Sequence, residues 1–203
     1  VFHNSAIEEL GQYSSVPVIN ALCDICHPCQ ALADFVTLAE NFDDLSNVKF
    51  AYIGDGNNVS NSLMLMAAIL GVDFTLACPQ GHGPDALIFN KAKALAEQSG
   101  SALNLTSNIE ALGQQDAIYT DTWISMGDDT NVNDILEKFA PFQVNHQLME
   151  KAQAKIVMHC QPAHLGEEIT TELFDSEMSV VFQEAENRMW AQNAVLVTLL
   201  ADK

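Results

Sequence analysis

Residues Asn47–Gly54 read NVKFAYIG, an apolar run from Phe50 to Ile53 that Gly54 ends. A strand with one wet face alternates polar and apolar side chains. A short run without alternation predicts a strand covered on both faces, as in a parallel sheet. Upstream, VPVINAL (Val16–Leu22) predicts a second strand, and PCQALADFVTLAENF between the two places Leu32, Phe35, Val36 and Ala39 on one helical face. Strand, helix, strand is the parallel crossover pattern. Downstream the alternation continues: a helix over Asn61–Leu70, a strand over Asp73–Ala77, a helix over Asp85–Gln98 and a strand over Ala102–Leu105. Strands over Asp116–Tyr119 and Lys155–Met158 follow, then a last helix over Glu184–Leu200. The reading is a doubly wound, Rossmann-like α/β sheet in three layers, with ligands expected beyond the carboxyl ends of the strands. No internal repeat, low-complexity tract or linker interrupts it.

Composition narrows the function. The 203 residues, 48% apolar, fill one large or two small domains. Eight basic against twenty-seven acidic side chains give a net charge of −19, which opposes sequence-independent contact with nucleic acid or an anionic membrane. The longest apolar stretches, such as Leu63–Leu70 and Ala194–Ala201, are too short to span a bilayer. The opening VFHNSAIEEL lacks the pattern of a secretory signal, so a cytoplasmic protein is expected. Five cysteines, an odd number in a chain of this length, read as reduced thiols.

Four strings stand at or just after predicted strand ends: HPCQ (His27–Gln30), GDGNN (Gly54–Asn58), DTWISMG (Asp121–Gly127) and HCQP (His159–Pro162). That placement predicts one crevice assembled from distant segments. GDGNN opens a helix and offers backbone N–H groups to an anion such as a carboxylate. It also reads as a plain turn with permissive glycines, and it is no dinucleotide fingerprint, because Asn58 and Val59 stand near the place of the third glycine. Asp121 and Ser125 can converge on an ammonium group, and Trp123 and Met126 within that polar loop need somewhere to bury. Cys160 is an activated thiol or an inert core one. Neighbours on a strand face opposite ways, which argues against a His159 and Cys160 nucleophile and base pair. CDICHPC also matches C-x-x-C-H, the pattern of haem attachment or a metal module, but without an export signal or a nearby fourth thiolate.

These strings, followed by ENRM at Glu186–Met189, resemble the ornithine carbamoyltransferases in identity, order and spacing across essentially the whole chain. The resemblance implies two α/β domains, of which this chain holds residues 41–181 as the ornithine-binding domain. Residues 1–40 would be a remnant of the carbamoyl-phosphate domain with a bridging helix, and 182–203 a second bridging helix. It implies carbamoyl transfer from carbamoyl phosphate to the δ-amine of L-ornithine, giving citrulline and phosphate, without metal or organic cofactor. His27, Gln30, Cys160, Gln161 and Arg188 would contact carbamoyl phosphate; Asn58, Asp121, Ser125 and Met126 would hold ornithine; His27, Asp121, Cys160 and Arg188 would be the catalytic set. A homotrimer is the assembly implied, and this chain alone would be inactive. Three departures stand out from the family's pattern, and among them Gln161, Leu165 and Cys26 motivate an alternative, an amino-acid-binding relative without catalysis. The family's Ser-Thr-Arg-Thr phosphate loop is absent. Gln161 and Leu165 replace a usual Leu and Arg. Cys26 and Ala21 replace a usual aromatic and Gly.

Overall fold

Phe50 and Tyr52 join one core and Ala51 and Ile53 the other, and none of the four is exposed to solvent. The strand that carries them is therefore covered on both faces, which is why its sequence does not alternate. The computed structural model describes residues 3–124 and 131–201. Its elements are α1 (Asn4–Tyr13), α2 (Pro28–Asn41), β1 (Lys49–Ile53), α3 (Asn58–Leu70), β2 (Asp73–Ala77), α4 (Ala86–Ser99) and β3 (Leu103–Thr106). There follow β4 (Ala117–Thr120), α5 (Val132–Phe139), α6 (His146–Ala152), β5 (Ile156–His159), α7 (Thr171–Phe174) and α8 (Val181–Leu200).

The five strands form a parallel sheet in the order β3-β2-β1-β4-β5. Helices α2, α3 and α4 bury Phe35, Leu38, Leu63, Met64, Ala92 and Ala96 against one face. There Phe50 is met edge-on by Phe35, Phe74 and Tyr119, with ring centroids 5.9, 5.6 and 6.2 Å away. Helices α6 and α7 cover the other face with Leu148, Met149 and Leu173. The expected doubly wound architecture is thus the observed one, and α8 lies along α2 at the β4–β5 side.

Val16–Leu22, expected as a strand, is not one: Val16, Val18, Ile19 and Leu22 are exposed, and no described strand pairs with them. A strand exists only where a neighbour takes its N–H and C=O groups, and side-chain character cannot supply that neighbour. HPCQ accordingly opens α2 without following a strand. The buried face of α2 also differs from the expected one. It carries Gln30, Ala31, Asp34, Phe35 and Leu38, while Val36 and Ala39 face solvent. Three buried polar residues, Gln30, Asp34 and Thr37, disguised that face from a reading based on apolar spacing. The short helices α5, α6 and α7 and the terminal α1 were not expected.

The turn after β1 is pressed against the turn after β2. Gly56 donates its N–H to the His82 carbonyl at 2.9 Å, and a Cβ placed on Gly56 would lie 2.3 Å from the carbonyl carbon of Gly83. Backbone, not a pliable side chain, blocks the space. Gly56→Ala is therefore expected to destabilise the fold by about 1–3 kcal/mol, read as a lower urea midpoint at unchanged m-value. An unaltered midpoint would show that the two turns separate freely.

Candidate active site

Strand β1 lies between β2 and β4, so the segments leaving the carboxyl ends of β1 and β4 diverge and open a crevice between them. From β1 comes Asn57, the N-cap of α3. Its Oδ1 accepts from the Val59 and Ser60 amides at 3.0 Å each and from the Tyr52 hydroxyl at 3.3 Å. With its oxygen so committed, its Nδ2 donates to Asp121 Oδ2 at 2.8 Å. The other Asp121 oxygen accepts from the Thr122 amide at 2.8 Å and from the Cys160 thiol at 3.0 Å. Burial and the adjacent Asp121 charge push the Cys160 thiol well above its ordinary range. It is a protonated donor to Asp121, not a thiolate nucleophile.

Both ring nitrogens of His159 are committed elsewhere: Nε2 lies 3.1 Å from Glu168 Oε1, with both side chains fully buried, and Nδ1 accepts from the Gln161 amide at 2.9 Å. Trp123 finds its burial against Phe139, at 5.6 Å, and Phe139 in turn meets His82 at 4.8 Å. His82 completes the link by contacting Asp55, at 3.0 Å, in the turn after β1.

The opposite wall is the start of α2. His27 is anchored through its backbone N–H to Ser62 Oγ at 2.7 Å. Its ring is nearly buried, with Nδ1 lacking a partner among the described residues. Burial first, then the Arg188 guanidinium, lower its pKa to about 4, against the opposing pull of the Ala21 backbone and of Asp121. His27 is therefore neutral at pH 7. Arg188 donates from Nη1 to Gln30 Oε1. Among the described residues it makes no ion pair, and its Nε is buried without a partner.

Of the other expected contacts, Asn58 turns its amide to the Cys23 carbonyl at 2.7 Å, tying α3 to the HPCQ segment, while its neighbour Asn57 reaches Asp121. The signal for Asn57 was legible: it is the Asn before the first helical residue. Gln161 holds a left-handed backbone, φ 56°, uncommon for a residue with a Cβ. Its side chain leans toward the Val181 carbonyl at 3.4 Å. Ser125 and Met126 lie outside the described residues. Two groups among the described residues bring three potential metal ligands within 4.8 Å of one another: Asp121, His159 and Cys160, and His164, Glu167 and Glu168. Cys23, Cys26 and Cys29 form no such group.

Comparison with known proteins gives these residues a context. The sequence model of the aspartate/ornithine carbamoyltransferase Asp/Orn binding domain matches residues 46–199, and that of the carbamoyl-P binding domain matches residues 1–40. The chain is 57% identical over 200 residues to an ornithine carbamoyltransferase of Shewanella oneidensis, covering 98% of this chain and 66% of that protein. It is 47% identical to one from Methanobrevibacter smithii, covering 96% and 65% respectively. The structure superposes on ornithine carbamoyltransferase from Pyrococcus furiosus with a TM-score of 0.94 at 42% identity, over 100% of this chain and 66% of that one. The chain thus spans slightly less than two thirds of the length of these relatives. With the shared α/β fold and a match over most of its residues, the chain belongs to the ornithine carbamoyltransferase family.

Proposed function

We propose that this chain forms the ornithine-binding portion of an enzyme that transfers the carbamoyl group of carbamoyl phosphate to the δ-amine of L-ornithine. One observation carries the reading. The crevice holds a carboxylate, Asp121, and a guanidinium, Arg188, each met by neutral groups and neither paired with an opposite charge among the described residues. Neutral dipoles keep a charge folded without cancelling it, so both remain available to ligands. Such a site suits one cationic and one anionic ligand side by side. Ornithine and carbamoyl phosphate are such a pair.

In the proposed reaction the lone pair of the neutral δ-amine attacks the carbamoyl carbon. The C–O bond to phosphate breaks, and phosphate leaves with the electron pair and takes up the proton that the amine loses. Neutral His27 donates a hydrogen bond to the carbamoyl oxygen together with Arg188, stabilising the charge that develops there. Asp121 and the Cys160 thiol position the amino acid, and Ser125 and Met126, which follow Asp121 in sequence, would contribute to holding it. Gln161 would approach the carbamoyl group. One arginine is too little for a phosphate dianion, so further cations would come from a carbamoyl-phosphate domain acting with the chain. Residues 1–40 and 182–203 would serve as the bridge to it, 41–181 as the ornithine domain, and a cytoplasmic homotrimer as the assembly of the whole.

Two measurements test this. Calorimetry should detect ornithine binding to the wild-type chain, weakened about 30-fold in Asp121→Asn, as for loss of a charged hydrogen bond worth about 2 kcal/mol. Citrulline should form only when a carbamoyl-phosphate domain is supplied. No ornithine binding and no citrulline in the joined protein would overturn the reading; binding without turnover would favour the non-catalytic relative.

A second expectation follows from the depressed His27 pKa. Between the unfolded value near 6.5 and the folded value of about 4, the unfolded chain binds the additional proton. The His27 contribution to stability therefore falls as pH drops from about 6.5 towards 4, while Glu184, raised by burial to about 7, contributes in the opposite direction. His27→Gln should remove the first contribution, so that the variant loses less stability than the wild type over that range, and the His27 ring should show neutral carbon shifts at pH 5.5 in NMR. A ring already protonated at pH 6 would contradict the assignment.

A further inference from the structure

Behind Gln30 stand two buried acids that the proposed reaction does not use. Asp34, one turn along α2, and Glu184, at the start of α8, have essentially no solvent exposure. Gln30 Nε2 donates to both: to Asp34 Oδ1 at 2.7 Å and to Glu184 Oε1 at 3.0 Å. Both amide hydrogens are thereby committed, and the one group left on the Gln30 amide is its oxygen, which accepts from Arg188 Nη1. Turned over, the amide would set its NH2 against the guanidinium N–H and its oxygen against two carboxyl groups, a mismatch at both ends.

Glu184 has further duties. Its Oε1 also accepts from the Tyr119 hydroxyl at 3.2 Å, and its Oε2 from the backbone N–H of His159 at 3.0 Å. The same carboxylate therefore touches Gln30 on the Arg188 side and the residue before Cys160 on the Asp121 side. Asp34 Oδ2, buried and without a donor facing it, sits beside Glu184. Burial and the Glu184 charge push Asp34 well above the usual carboxylate range. Burial raises Glu184 as well, to about 7, but its hydrogen bonds from Asp34, the His159 N–H and Tyr119 oppose that rise, so Asp34 is the acid of the pair that carries a proton and Glu184 is the acceptor.

We infer that Asp34 and Glu184 are positioning residues: by taking both amide hydrogens of Gln30 they fix its oxygen toward Arg188 and so aim the chain's only guanidinium into the crevice. The consequence for carbamoyl transfer rests on the function proposed above; the aiming itself does not. The two acids touch no substrate. Their part is to determine where Arg188 points while Glu184 holds His159, and with it Cys160, at a fixed distance from α2.

The chemistry separates three variants. Asp34→Asn replaces a protonated carboxyl with a neutral amide that still offers an oxygen to Gln30 and a donor to Glu184, so it should preserve the arrangement. Asp34→Leu removes the contact. Glu184→Gln keeps the shape but puts an NH2 group either against the donors from Gln30 and Tyr119 or against the His159 N–H.

Because Arg188 is the only arginine, this chain labelled with nitrogen-15 arginine gives one guanidinium spectrum. In the wild type and Asp34→Asn, the Nη signals should be separate, from a side chain whose rotation is hindered. In Glu184→Gln and Asp34→Leu they should merge, below each variant's unfolding temperature. In the chain joined to a carbamoyl-phosphate domain, Glu184→Gln should lower kcat about tenfold to a hundredfold, with a smaller effect on the KM for ornithine. Asp34→Asn should restore most of what Asp34→Leu loses. Separate Nη signals in Glu184→Gln, or Asp34→Asn as impaired as Asp34→Leu, would overturn the inference. Should Asp34→Leu fail to fold, the contrast between Glu184→Gln and Asp34→Asn decides it. A wild-type joined protein without turnover would sink the proposed reaction and leave the spectrum to decide the aiming.

Discussion

Everything in the crevice depends on β1 and β4 being hydrogen-bonded neighbours whose following segments diverge. Register fixes Ile53 beside Thr120, and Thr120 Oγ1 donates to the Ile53 carbonyl at 2.7 Å. The two chain exits are thereby held side by side before they part. Asn57 and Asp121, 64 positions apart in sequence, meet at 2.8 Å because of that pairing. β5, paired to β4, then delivers Cys160 to the same carboxylate. Without the parallel pairing, no local preference in GDGNN, DTW or HCQP would bring them together.

Electrostatics at the site follow one rule on both walls. A charge is held by neutral dipoles, and where two acids are forced together, as at Asp34 and Glu184, one keeps its proton. Burying a carboxylate and a guanidinium against each other would have been the simpler way to keep both folded, but it would have consumed both. Here the carboxylate rests on an amide, a thiol and a backbone N–H, and the guanidinium on the oxygen of Gln30. Given the excess of acidic over basic side chains, a guanidinium without a carboxylate partner among the described residues is a product of specific placement.

Much of this was legible in the sequence. β2 falls at the expected residues, and the other strands within about two positions, because buried parallel strands announce themselves by continuous apolar runs bounded by turn residues. Asp121 and Cys160 were legible by their position after strands. Three things were not. Val16–Leu22 has strand composition without a partner, and pairing is a tertiary fact. The buried face of α2 carries Gln30 and Asp34, so apolar spacing pointed to Leu32 and Val36. Glu184 reads as one more acid on a polar helix, and only its convergence with Gln30, Tyr119 and His159 gives it meaning. The resemblance to a family selected Asn58 for ornithine; in the structure Asn58 bonds the Cys23 carbonyl, and the cap residue beside it bonds Asp121.

The contact between Gly56 and Gly83 has a consequence for how this crevice can diversify. A pair of loops that touch through side chains can be retuned one substitution at a time, since a larger group on one is answered by a smaller group on the other. Here main chain meets main chain. No single replacement can compensate a change in either loop, and length variation in one must be matched in the other. Descendants of this scaffold that acquire new ligand preferences would thus be expected to do so through the β4 and β5 loops, with the β1 and β2 loops inherited together as an unchanging hinge-post.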